Sequence, residues 1–254
     1  MLPKLFLLAL AITPLVSAHG KVTVVTGNAG GNGTALAIRG GVVPGTGPNS
    51  KTEVDTTVFS KTSILTDGLG KTTGSGKNTV SMIVDAMALS GTTLPQITAG
   101  GNITGTFHIV TADGAGPIQA VLDPTATGRF SAGVPLTVVE QIPGEKGNFV
   151  ETGKKKGQRS WLWARAMDGL GTVGRRNAAN VNKSFQFAFS VPAGTTCNGT
   201  VASMTGVCLI KIANSNKAGP FGGVVPVQIA AAAAAGGGNG AAGQAAACGR
   251  AFRG

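Results

Sequence analysis

The sequence predicts an all-β fold, an immunoglobulin/fibronectin-like β-sandwich with long connecting loops and a short helix. Three observations carry that expectation. The 254 residues include 41 Gly and 12 Pro. With abundant Thr and Val, this composition favours strands and turns over helices. Stretches rich in Val, Ile, Phe and Thr recur between Gly, Pro or Asn boundaries. Finally, the chain from residue 19 onward is long enough for one domain with a proper core.

The elements follow in chain order. The opening MLPKLFLLALAITPLVSA has one positive charge at Lys4, an apolar run from Leu5 to Ile12, a break at Pro14 and small residues at Val16-Ser17-Ala18. That is the layout of a cleavable signal spanning residues 1–18, and its apolar run is short for a bilayer span. The expected product is a secreted, extracellular protein with no transmembrane anchor, beginning at His19. Strands are expected at 21–26, 104–112, 135–141, 184–191, 207–213 and 224–229. In SFQFAFSV, Phe185, Phe187 and Phe189 alternate with polar or small residues, which turns one phenyl face inward. A helix is expected at 79–89, where Val80, Ile83, Val84, Met87 and Leu89 form an approximate stripe before Gly91. Residues 19–229 then form a single sandwich domain. Within it, 143–180 reads as a basic loop carrying Lys154, Lys155, Lys156, Arg159, Arg165, Arg175 and Arg176 along with Trp161 and Trp163. Residues 230–254 are a low-complexity Ala/Gly tail that buries too little surface to offset its ordering entropy, so disorder is expected there.

Charge narrows the partners. The formal net charge is +11, and removing Lys4 with the signal leaves 20 basic against 10 acidic residues. Such a protein is drawn to polyanions. For a secreted chain these are cell-wall or host-surface polysaccharides or another anionic surface, and no nucleic-acid motif is present. Of the three cysteines, Cys197 and Cys208 flank NGTVASMTGV, whose Asn-Gly and Thr-Gly steps suit a turn between two strands. They are expected to form a disulfide, leaving Cys248 over. Sequons at Asn32, Asn102, Asn182 and Asn198 are candidate glycosylation sites. The stretch GLGKTTGSGK at 68–77 suggests a nucleotide loop but lacks the spacing: a glycine is needed at Leu65, and Gly76-Lys77 is followed by Asn78. It reads instead as a flexible turn.

Chemistry rests on two histidines, His19 and His108, the only ones in the chain. Cleavage after Ala18 gives His19 a free α-amine. Amine and imidazole together chelate a metal, and a second imidazole completes a flat, three-nitrogen set that suits Cu(II). His108 lies in a predicted strand, with Phe107 and Ile109 on the opposite face. Copper is therefore the expected cofactor and His19 and His108 the expected ligands, with the alternative that His108 is an ordinary, hydrogen-bonded histidine. Other chemistries fit poorly. No G-x-S-x-G elbow occurs, and the spacing of Asp85, Asp113, Asp123 and Asp168 singles out no carboxylate pair.

The stretches LSGTTLPQITAGGNITGTFHIVTADGAGP (89–117) and VCLIKIANSNKAGPFGGVVPVQ (207–228), with the SAHG junction, resemble the fungal appressorium-associated secreted virulence factors, the Egh-like or Gas/Mas-like family. The resemblance implies a role in host-surface penetration and a β-rich domain. It also implies an N-terminal His-Gly similar to that of lytic polysaccharide monooxygenases, which cleave glycans oxidatively with copper. On that similarity Gln228, in VPVQI, matches a glutamine placed near the metal, and Asp113 joins it as a candidate residue behind the ligands. The chain departs from the family pattern at Ile118, Ala120, Ala213 and Val224, where an aromatic residue or cysteines are usual. It also has no Tyr, which excludes an axial tyrosine and leaves little for a flat aromatic platform. Two functions remain open: a copper-dependent, monooxygenase-like enzyme oxidising a glycan, and a virulence-associated surface protein whose basic loop adheres to anionic walls.

Overall fold

The computed structural model describes residues 19–38, 55–150, 180–217 and 219–230. The expected signal, nearly all of the tail, Cys248 and the basic cluster from Lys154 to Arg176 lie outside them. Among the described residues the regular structure is almost wholly strand, with one short helix, an all-β sandwich as the composition predicts.

The main strands are β1 (Gly20–Gly27), β7 (Asn102–Thr111), β8 (Ile118–Asp123), β11 (Asn180–Ser190), β13 (Met204–Asn214) and β14 (Phe221–Ile229). Shorter strands are β2 (Gly30–Gly33), β3 (Thr57–Val58), β4 (Lys71–Thr72), β5 (Gly76–Lys77), β6 (Gln96–Ile97), β9 (Val134–Pro135), β10 (Thr137–Glu140) and β12 (Gly199–Val201). They join in one sheet with the path β10-β11-β7-β1-β14-β13-β8-β9. Every neighbouring pair on it is antiparallel except β1 and β14, which run parallel. The two ends of the path, β9 and β10, are consecutive in the chain and separated only by Leu136, whose N–H donates to the Ala120 carbonyl at 3.0 Å. The sheet therefore folds back on itself into two facing layers.

Side-chain alternation fills the space between the layers. Val22, Phe107, Phe187, Phe189, Ile210 and Val225 point inward and are fully buried. Each fully buried side chain of this size contributes roughly 1.5–3 kcal/mol. A second core covers the outside of β8, β13 and β14, where Val121, Leu209 and Val224 pack against Leu36, Phe130 and the helix. Because β13 is covered on both faces, its sequence VCLIKIA reads as an apolar run rather than an alternation. The helix α1 (Ile83–Ser90) follows a single 3-10 turn at Val80–Met82 and buries Ile83 and Ala86.

Two sequence expectations are refined and a third is met. The strand expected at 135–141 is two short strands, because Leu136 turns the chain from one layer to the other. GLGKTTGSGK is no loose turn: β4 and β5 pair as a hairpin. Thr72 donates to Asn78 at 2.9 Å and lies 2.8 Å from the Thr57 hydroxyl, which ties the hairpin to β3. Cys197 and Cys208 are bridged beside the β12–β13 hairpin, as the turn chemistry predicts.

Candidate functional site

His19 immediately precedes β1, and the register of that strand with β7 sets the site. Gly20 pairs with Ile109 and Lys21 with His108, while the Val110 N–H donates to the His19 carbonyl at 3.0 Å. A Cβ at Gly20 would run into the Phe107 ring, so the Gly20 side faces the interior. His19, Lys21 and His108 therefore share the outer face. In that register the two histidines are diagonal neighbours, a spacing of about 7–8 Å that is somewhat less between Cβ atoms. Gly20 and Gly114 permit the close approach behind this arrangement: a Cβ at Gly114 would strike the His19 carbonyl, so the ADG turn after β7 packs directly on the chain start.

Each histidine is held by neighbours. The His19 main-chain N–H donates to Thr111 Oγ1 at 2.8 Å, and that hydroxyl donates onward to Asp113 Oδ1 at 2.7 Å. Burial pushes the half-buried Asp113 carboxyl up, against the lowering effect of the Thr111 hydrogen bond. The His19 ring is buried and stacks on Phe221 with centroids 6.0 Å apart. His108 is half-buried, and its Nδ1 lies 2.9 Å from Ser184 Oγ on β11. Burial pushes the His108 pKa down, the Lys21 charge adds to this, and a hydrogen bond with Asn182 opposes it. A neutral imidazole is the form that binds a metal.

One cation stands among these groups. Lys21 is buried, with its Nζ 4.0 Å from Asp55 Oδ2 and no hydrogen bond to Nζ among the described residues. The Asp55 carboxylate offsets part of that charge. Among the described residues no group of three or more His, Cys, Asp and Glu side chains forms a metal set. A cut after Ala18 would turn the His19 nitrogen into an amine, a third nitrogen donor beside the two imidazoles.

Asp113 reaches this site through Thr111, but Gln228 does not. It sits at the far end of β14 from Gly222, the partner of Lys21, and bonds Gln96 and the Thr205 carbonyl. Sequence reading missed Thr111, Ser184, Asp55 and Phe221. Only Lys21 carried a signal, since strand alternation sets it two residues from His19 on the same face. The sequon residues Asn32, Asn102, Asn182 and Asn198 are all exposed, as an acceptor requires.

With this geometry in view, comparison with known proteins is informative. The family model described as Egh16-like virulence factor matches residues 17–222, beginning just ahead of His19. The chain belongs to the Egh16-like virulence factor family. This Egh16-like protein is 33% identical over 233 residues to the "Appressoria-specific virulence factor GAS1" of Pyricularia oryzae, spanning 90% of this chain and 79% of the relative. It is 32% identical over 133 residues to "Appressoria-specific virulence factor GAS2" of the same species, spanning 52% of this chain and 37% of that relative. No solved structure matches the Egh16-like protein. Its family and relatives support a virulence-associated role. Among its described residues no helix is long and apolar enough to cross a membrane.

Proposed function

We propose that this Egh16-like protein is secreted, acts at the fungal cell wall or host surface during penetration, and binds Cu(II) through the His19 amine, the His19 ring and His108. The observation that carries the reading is the β1–β7 register, which sets both imidazoles on one face as diagonal neighbours. Ser184 orients the His108 ring, and Thr111 with Asp113 lies behind the His19 nitrogen. Copper bound there supplies one-electron redox chemistry, the kind that oxidises glycans. The protein's own part is to present two imidazoles and an amine on a sheet face, with Phe221 stacked on the first ring.

The test compares two purified forms, one beginning at His19 and one retaining Ala18. Cu(II) titration followed by electron paramagnetic resonance should give an axial, nitrogen-rich signal for the first and lose it for the second. If both forms bind equally, or if His108→Ala leaves the signal unchanged, the copper site is wrong. Incubating the copper-loaded first form with wall glycans and a reductant then reads out oxidation separately from binding.

A further inference from the structure

A cavity of about 480 Å³ opens on the outer face of the sheet, within the range of small-molecule sites. Val58, Phe59 and Leu69 form its apolar side, and Thr66 and Asp67 its polar side. Three lysines also line it. Lys71 and Lys77 are exposed and stand directly opposite one another in the β4–β5 hairpin. Like charges so placed destabilise a hairpin, and this one is held by the Thr57, Thr72 and Asn78 bonds. Lys211 lies on the cavity floor, 1% exposed, its Nζ donating to the Thr66 carbonyl at 2.8 Å and lying 4.6 Å from the Phe59 ring centroid and 5.4 Å from that of Phe130.

These charges are not balanced locally. Among the described residues none of the three lysines forms a salt bridge, and the only carboxylate lining the cavity is Asp67. Asp67 accepts from the Ser131 N–H at 2.7 Å and its hydroxyl at 3.1 Å, contacts that hold its carboxyl below the usual range and keep it ionised. Three ammonium groups against one carboxylate leave a positive, concave site.

We propose that this cavity binds an acidic sugar, with the carboxylate of a uronic acid met by Lys71 and Lys77 and its hydroxyls by Asp67 and Thr66. The charge pattern selects this class. An ammonium pair at the rim favours an anion, while the fixed Asp67 carboxylate accepts the several hydroxyls that a sugar offers and inorganic phosphate does not. The apolar side accommodates the C–H face of a pyranose ring. The glycine and lysine stretch at 68–77 thus finds a use as the cavity rim rather than a nucleotide loop. None of its residues belongs to the His19 and His108 site, so the inference does not rest on copper.

The experiment is calorimetric titration of the full secreted protein, made metal-free with a chelator, using a galacturonic acid trimer, cellotriose and inorganic phosphate as probes. The acidic trimer should bind, weaken with added salt and outcompete phosphate, while cellotriose should not bind. Lys71→Gln with Lys77→Gln should weaken the trimer by about tenfold or more, since two charge-assisted contacts are lost. Both positions are exposed, so this variant keeps the test meaningful even where Lys211→Met disturbs folding. Unchanged trimer binding in the double variant, cellotriose binding as well as the trimer, or phosphate binding as tightly, each overturns the proposal. Because copper is absent throughout, failure here leaves the paramagnetic resonance test untouched.

Discussion

Lys21 and Lys211 are both buried on the outer face of one sheet, and they are held there by different means. Among the described residues Lys21 has a carboxylate nearby and no hydrogen bond to its ammonium, while Lys211 has a hydrogen bond and two aromatic faces but no carboxylate in contact. The contrast separates two ways of offsetting desolvation. A countercharge offsets the burial of the Lys21 ammonium beside the histidines. Aromatic faces and a carbonyl surround the other cation, and burial lowers the Lys211 pKa to about 8.

The largest expected effect comes from removing the countercharge. Asp55→Asn leaves the Lys21 ammonium buried without it and should cost about 3–5 kcal/mol in urea unfolding. Combining Lys21→Met with Asp55→Leu should recover most of that loss, because well-packed apolar side chains replace buried ion pairs at little cost. A loss under about 1 kcal/mol in the single variant would show that the charge is neutralised by other means.

The second effect is pH-dependent and belongs to Lys211. Its folded pKa of about 8 lies below the ordinary lysine value, so between pH about 8 and about 10 the unfolded chain holds more protons than the folded one. Stability from this group therefore rises with pH across that window, and the penalty is fully present below it. Thermal unfolding should show Tm several degrees higher at the top of the window than at its foot, and Lys211→Met should flatten the rise. A rise that persists in Lys211→Met assigns it to another group.

A smaller change sharpens the aromatic half of the contrast. Phe59→Leu should cost about 1–2 kcal/mol and lower the Lys211 pKa further, as one face of its cage is lost. Direct titration of Lys211 by nuclear magnetic resonance reads this, and an unchanged pKa removes Phe59 from the account. The smallest structural effect lies at the histidines. Ser184→Ala, at an exposed position, should shift stability by no more than about 0.5 kcal/mol, while lowering Cu(II) affinity about tenfold through the loosened His108 ring. Affinity and stability falling together would point to a merely structural role.

Much of the fold was legible because alternation and turn chemistry are local. SFQFAFSV announced β11, and the Asn-Gly and Thr-Gly steps marked the bridged hairpin. β8 escaped notice because IQAVLD is buried at five of its six positions and shows no alternation. β2, in GGNG, owes its pairing to β1 rather than to its own composition. At the site, scarcity made His19 and His108 visible. Ser184 and Thr111 gave no sign, because hydroxyl residues are common and only register tells which ones meet a ring or an amine.

The sequence by itself therefore determined the all-β class, the main strands other than β8, the disulfide and the two histidines, since each follows from spacing along one chain. Only the tertiary structure decided that His19 and His108 share a face with Lys21, that Gln228 lies at the far end of its strand, and that Lys71, Lys77 and Lys211 line one cavity. The physical reason is that strand pairing brings together residues far apart in sequence, and burial then sets which of their charges are paired, caged or left facing a cleft.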